Sequence, residues 1–416
     1  MLRKLNAKNL AAVAFLFTII AASTSLTDST ITRNAFYLAV FFAIIAFTVS
    51  KARTISCDAI LISGAVFFVG FSQAIWLWRF PLSGNLTAHS EYLVSSTRLL
   101  CGAVLIITLG SLQNTISDKV KSFTKGLVIF GFFYASSIGL FLHTQNPDMR
   151  LEINTVATTT AYVYILQSLL TVYIIINESW RHRLISTTIV ILLSIWVIFL
   201  TETRSALLIY PVLLLILFCR RQHLKVKTIL VFSLLSIIVV AASCHLFTTA
   251  TERLTNTINE ISNYQKGNGN SSLGSRISMW KAGIHAIEQA PEGQSSTQRF
   301  DIATQYIEQH EGGNPEALRN IVYHLHNDFI EAGSLQGIVG ILALVIFFSL
   351  ISIANIKYMH THAMLLLLIL PTFIIGMVDT LFIDHRYVTN LTLMLVIYLT
   401  LQPSRRSIPG ASIQEN

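Results

Sequence analysis

A chain of 416 residues that is 53% hydrophobic and only 12% charged is not a soluble domain, in which roughly a quarter of residues carry charge. Lys and Arg outnumber Asp and Glu, 29 to 21, for a formal charge of +8, and on so apolar a chain this excess points to anionic lipid and cytoplasmic anchoring before nucleic acid. Four scattered cysteines, Cys57, Cys101, Cys219 and Cys244, lack the close pairing of a zinc or redox motif and read as small membrane-buried hydrophobes with no disulfide framework.

Crossing about 30 Å of hydrocarbon takes roughly 20 apolar residues. In chain order, runs near that length are predicted at 10–26, 35–50, 58–78, 98–114, 126–142, 157–177, 184–200, 206–219, 228–247, 335–356, 363–378 and 388–402. The expected fold is therefore all-α: a polytopic inner-membrane protein with about twelve transmembrane helices. Lys and Arg remain on the cytoplasmic side of short loops, and twelve spans with an internal N-terminus satisfy this. Arg3, Lys4, Lys8, Lys51, Arg53, Lys119, Lys121, Lys125, Arg181, Arg183, Arg220, Arg221, Lys225, Lys227, Lys357, Arg405 and Arg406 then fall inside. The short outer loops keep only Arg33, Arg79, Arg98, Arg150, Arg204 and Arg386. The N-terminal run also has the basic start of a signal peptide, but the eleven spans after it favour an uncleaved anchor.

The expected organisation is nine spans within 1–247, a large periplasmic helical loop at 248–334, three spans within 335–402 and a cytoplasmic tail at 403–416. In the loop, Leu254, Ile258 and Ile261 recur at helical spacing, as do Ile277, Trp280, Ile284 and Ile287 after a cap read at Ser275. A Gly/Asn/Ser stretch separates these two helices. A third is predicted over Gln298–His310. A fourth starts at Asn314-Pro315, a cap with proline at the first helical position, and its apolar face is Leu318, Ile321, Val322, Leu325 and Phe329.

The polar residues of this half are the candidates for chemistry. Arg204 lies where two spans meet with almost no loop, and an arginine at a membrane boundary is costly unless paired or functional. It reads either as a snorkelling residue or partner of Glu202, or as a clamp whose planar fork matches two phosphate oxygens. Arg276, in the first turn of a loop helix, is either a solvated surface residue or an anion ligand helped by the helix dipole. His324 and His326 suggest a metal pair, but residues two apart on a helix diverge. A single imidazole as general base is simpler, and a structural histidine is the plainer alternative. Glu331 and, in the charged segment Asp379–Arg386, Arg386 are further candidates for contact with substrate. Asp384 and Arg386 also read as a local pair. There is no nucleophile elbow, phosphate-binding loop, dinucleotide fingerprint or zinc-protease pattern, and no repeat of the inverted-transporter kind.

From His326 the sequence runs His326-Asn327, nine residues (Asp328 to Gln336), then Gly337-Ile338-Val339-Gly340. This resembles the signature of the bacterial superfamily of O-antigen ligases, O-antigen polymerases and protein O-oligosaccharyltransferases, and it falls at the junction of a large loop and the next span. Thr203-Arg204-Ser205 and Ser275-Arg276 are similar to the segments that carry the family's two essential arginines. Chain size and loop position lie nearest the ligase branch.

The resemblance implies transfer of undecaprenyl-diphosphate-linked O-antigen to a sugar hydroxyl of lipid A-core oligosaccharide, among membrane lipids at the periplasmic face. It implies no nucleotide, metal or other cofactor, and no nucleic acid. A glycosyl diphosphate is already activated, so an enzyme need only hold two lipids, stabilise the departing diphosphate and deprotonate the acceptor. Arg204 and Arg276 would do the second and His326 the third. Direct attack inverts the anomeric carbon. Retention needs a carboxylate nucleophile, and Glu202, Asp328 and Glu331 keep it open. The alternatives are an O-antigen polymerase and a non-enzymatic flippase or transporter of lipid-linked glycans.

Overall fold

A computed structural model describes residues 6–50, 55–81, 88–219, 269–357 and 363–402, with Asn259, Glu260, Ser262 and Tyr264. The described residues are helical and irregular, with no strand. Eight helices carry the first half: α1 (Ala7–Thr24), α2 (Ser29–Val49), α3 (Cys57–Arg79), α4 (Ala88–Leu112), α5 (Asp118–Gln145), α6 (Ala157–Asn177), α7 (Arg183–Leu200) and α8 (Arg204–Cys219). The polar segment folds as α9 (Ser272–Gln289), α10 (Ser296–His310), α11 (Pro315–Asn320) and α12 (Asp328–Gln336). The chain returns to apolar sequence in α13 (Ile338–Lys357), α14 (Ala363–Gly376) and α15 (His385–Leu401).

Eight of these helices, α1 to α7 and α13, are long and apolar enough to cross a membrane, while α8 and α14 are shorter apolar helices. The apolar runs expected from sequence thus correspond to described helices, except 228–247, which lies outside the described residues together with Leu254, Ile258 and Ile261. The twelfth, α15, has 17 residues. Polar caps set the starts: Asp28 accepts from the amides of Thr30 and Ile31 at 2.9 and 2.8 Å, and Asn6, Ser56 and Ser117 do the same for α1, α3 and α5.

Two helices form the centre of the bundle. α6 is buried along nearly its whole length, and α15 is buried from Tyr387 to Thr400. Small and hydroxylic residues let the neighbours approach closely. Gly102 of α4 lies so near Thr392 of α15 that a methyl group there would collide with it. Ser168 of α6 bonds Ser194 of α7 and Tyr210 of α8, each at 2.6 Å, and Gln167 donates to Ser25 at 2.7 Å. Among the described residues, Cys57, Cys101 and Cys219 form no disulfide.

Helices α9 to α12 enclose a second, smaller core of Met279, Ala282, Ala303, Ile307, Ala317, Ile321 and Leu325. Three details differ from the sequence reading. The cap of α9 is Ser271, which accepts from the Gly274 amide at 3.1 Å, rather than Ser275, which is buried in the first turn. The inward face of α9 consists of small residues, Gly274, Ser275, Ser278, Ala282, Gly283 and Ala286, with Met279. Ile284 points outward, because Leu325 and Ile330 press so close to Gly283 that no larger side chain fits. Finally, the helix expected to run on from Asn314-Pro315 starts as predicted, with Asn314 capping Glu316 and Ala317, but stops at Asn320. The chain turns through 321–327 before α12.

This subdomain is fastened to the bundle. Trp76 of α3 donates to the Gln294 carbonyl at 2.8 Å and Ser72 to Gln336 at 2.8 Å. Asn327 donates to the Met377 carbonyl at 2.9 Å, and Asp328 accepts from the amides of Leu381 and Phe382 at 2.8 and 3.0 Å.

Candidate active site

The break before α12 brings the site together. His326 has φ 51°, the left-handed region that a non-glycine residue occupies only when its surroundings hold it there. Trp280 of α9 supplies one restraint, donating to the His326 carbonyl at 3.1 Å. Asn327 supplies another, capping α12 through the amides of Phe329 and Ile330. The reversal swings the two imidazoles onto one side, with ring centroids 4.2 Å apart and planes at 74°. The divergence expected of a continuous helix does not occur, because the helix is interrupted at these residues.

His326 Nδ1 lies 3.1 Å from Asp379 Oδ1, on the turn that follows α14. A carboxylate there holds the hydrogen on Nδ1 and leaves Nε2 as the basic nitrogen. Asp379 is itself fixed: the Thr380 amide donates to Oδ1 at 2.9 Å and the Tyr162 hydroxyl to Oδ2 at 3.1 Å. Burial alone would raise its pKa, but the bond from His326 and the charges of both imidazoles hold it well below the carboxylate range. Burial, with the neighbouring His326, keeps the pKa of His324 low; His324 Nδ1 lies 3.3 Å from Thr380 Oγ1. The hydrogen-bond chain continues from Tyr162 to Ser205 at 3.0 Å.

The two predicted arginines sit beside this chain on separate elements. Arg204, exposed, is the first residue of α8 and directly precedes Ser205. It follows Glu202, another left-handed residue, with φ 51°. Arg276 lies in the first turn of α9, close enough to Tyr162 for its charge to act there. Arg150, not singled out from sequence, reaches the same junction through the Thr201 carbonyl at 3.0 Å.

A cavity of about 360 Å³ opens beside Asp379. Its wall includes His324, Thr380, Glu91, His385, Arg386 and Tyr323, with Thr155 to Tyr162 at the start of α6. Arg386 faces it, donating from Nη1 to Thr155 at 3.2 Å while its buried Nε meets no partner among the described residues. Asp384 caps α15 through the backbone amides of Arg386 and Tyr387, a helix cap in place of the expected pairing with the Arg386 guanidinium. Glu331 is elsewhere: 1% exposed, it binds Arg299 at 3.0 Å and the Leu325 amide at 2.9 Å and does not line this cavity.

Among the described residues, His324, His326 and Asp379 are the group able to hold a metal ion, with ligand atoms within 4.8 Å of one another. The 3.1 Å separation of His326 Nδ1 and Asp379 Oδ1 is that of a hydrogen bond. Sequence reasoning missed the role of Asp379, Tyr162 and Ser205, which are scattered along the chain. Its one signal for Asp379 was the charged segment beside an apolar run.

A helical bundle built of apolar helices, with a polar subdomain at one end and a histidine–aspartate pair, defines a multi-pass membrane protein. Residues 189–345 match the sequence model of the O-antigen ligase family, a stretch that includes Arg204, Arg276, His324, His326 and Glu331. Over 303 residues the chain is 25% identical to the O-antigen ligase of Escherichia coli (strain K12), with 70% of each chain covered. It is 24% identical over 221 residues to an uncharacterized protein of Haemophilus influenzae (strain Rd), covering 51% of this chain and 53% of that one. The chain is thus similar to O-antigen ligases across the stretch that carries Arg204, Arg276 and His326, and its apolar helices are those of a multi-pass membrane protein.

Proposed function

We propose that the protein transfers O-antigen glycan from undecaprenyl diphosphate to a sugar hydroxyl of lipid A-core at the periplasmic face, with twelve spans and the α9–α12 subdomain outside. The observation that carries this reading is the His326–Asp379 pair, whose Asp379 lies on the wall of a cavity that Arg386 also lines. In the reaction, the acceptor hydroxyl gives its proton to His326 Nε2 as its oxygen bonds to the anomeric carbon. The bond from that carbon to the diphosphate oxygen breaks, and the electron pair leaves with the diphosphate. Arg204 and Arg276 bind that leaving group, whose charge grows as the bond breaks. Arg386 and His324 face the cavity as substrate contacts.

Attack by the acceptor itself inverts the anomeric carbon. A retaining route needs a carboxylate free to act as nucleophile. Asp328 Oδ1 is held by two backbone amides and Glu331 is buried against Arg299, which argues against these two as the nucleophile and leaves Glu202 as the remaining carboxylate of the retaining route. Removing the gene from its host tests the reading. A ligase leaves long glycan on the undecaprenyl carrier and bare core, whereas a polymerase leaves core carrying single repeat units, and unchanged lipopolysaccharide overturns both.

A further inference from the structure

We infer that Arg98 and Arg33 form a slot between α2 and α4 that takes the phosphate of a membrane lipid. Arg98 is 5% exposed, and its Nε and Nη1 are buried without a hydrogen-bond partner among the described residues. No described carboxylate pairs with it. Its guanidinium instead lies 4.6 Å from the Tyr37 ring centroid and 5.1 Å from that of Phe36. Arg33, exposed and one turn before Tyr37 on α2, adds a second positive charge that acts on Arg98.

An arginine cannot shed its proton, and a cation withdrawn from water needs a counter-charge and its donors met. Two aromatic faces supply part of the attraction but accept no hydrogen bond of ordinary strength, and Arg33 makes the need for an anion greater. Arginine within a membrane helix is for this reason a mark of function.

The position in the fold identifies the anion. Glu91, Ser95 and Arg98, at i, i+4 and i+7, share one face of α4. Glu91 lines the cavity, Ser95 donates to the Phe382 carbonyl at 2.5 Å, and Arg98 lies a turn further along, against α2. The slot therefore continues one side of the site down into the lipid-facing part of the bundle, where Tyr37, 38% exposed, covers it. The anions at that level are lipid phosphates. The diphosphate of an isoprenoid carrier, the phosphomonoester of lipid A and the phosphodiester of a bulk phospholipid share the chemistry that two arginines select.

The test is native mass spectrometry of the full chain in detergent with undecaprenyl diphosphate, diphosphoryl lipid A, phosphatidylglycerol or, as a neutral control, diacylglycerol. The wild type should retain at least one of the three phosphate lipids, and whichever it retains best identifies the source. In a background where Arg204→Gln and Arg276→Gln remove the proposed diphosphate ligands of the active site, Arg98→Gln should lower that occupancy at least tenfold and Arg33→Gln several-fold, with diacylglycerol unchanged. Should Arg98→Gln fail to fold, the exposed Arg33→Gln still decides. Equal retention by that background and its variants, no retention at all, or parallel loss of diacylglycerol would overturn the proposal. Because the readout is binding alone, it is independent of whether the protein transfers glycan.

Discussion

His326 does its proposed work through its position, which two contacts from distant segments, Trp280 and Asp379, and the neighbouring cap Asn327 fix. Removing a general base typically costs about 10² to 10⁴ in rate. His326→Ala should accordingly come close to abolishing transfer in a reconstituted assay with purified lipid-linked donor and lipid A-core, while donor binding survives. Asp379→Asn should fall in the same range, because an amide no longer favours the hydrogen on Nδ1. His324→Ala should lose far less. If the two histidines and Asp379 held a catalytic ion, both histidine substitutions would be severe and EDTA would silence the wild type. The arginines follow a different logic. Arg204→Lys and Arg276→Lys keep the charge but lose the fork, and each should lose most transfer at normal abundance. Near-normal rates in both lysine variants would mean that a point charge is enough. The candidates themselves were readable from residue type and neighbours. The partnership of His326 with Asp379 was not, since 53 residues separate them and only the packing of α12 against the turn after α14 brings them together.

At the scale of elements, the family-like spacing acquires a physical meaning: the nine residues between Asn327 and Gly337 are the helix α12. Asn327 starts it, and Gly337, at φ 69°, ends it where any side chain would strike the Pro291 carbonyl. Gly337→Ala should therefore displace the start of α13 and lower transfer despite being remote from the acceptor; wild-type rates in that variant would refute the role. The interruption before α12 was hidden because Leu318, Ile321, Val322, Leu325 and Phe329 do keep a helical period. What overrides it is tertiary: Glu331 takes the Leu325 amide and Trp280 the His326 carbonyl. Glu331 and Arg299 also form a buried ion pair, each 1% exposed. Removing one partner of such a pair costs about 3 to 5 kcal/mol, so Glu331→Ala should sharply lower the thermal midpoint. Replacing both, as Arg299→Met with Glu331→Leu, should recover much of the loss. If the double variant were no better than either single one, the pair would have to matter through something besides its charges.

The whole bundle fixes which loops share a side. Helix α6 runs from Thr159 and Tyr162, at the cavity, to Asn177 at the far end, and its 21 residues span about 31 Å at 1.5 Å each. The turn containing Arg181 therefore lies across the membrane thickness from the site, next to Lys125, whose ammonium binds Glu178 at 2.6 Å. Glu292, between α9 and α10, lies at the cavity end, where its carbonyl accepts from Arg79 of α3 at 2.7 Å. The clustering of Lys119, Lys121, Lys125, Arg181 and Arg183 at the end away from the site is what the positive-inside rule asks of a cytoplasmic face. This agreement between charge and fold was legible in the sequence because it depends only on where apolar runs stop. In a cysteine-free background, a cysteine at Glu292 should react with a membrane-impermeant thiol reagent in intact spheroplasts, since that side chain is 84% exposed and its ion pair with Arg79 is too exposed to protect it. A cysteine at Arg181 should react only after the membrane is opened. Labelling of both from outside would show that α6 does not cross, and the reverse pattern would place the site in the cytoplasm, where a periplasmic glycan transfer is impossible.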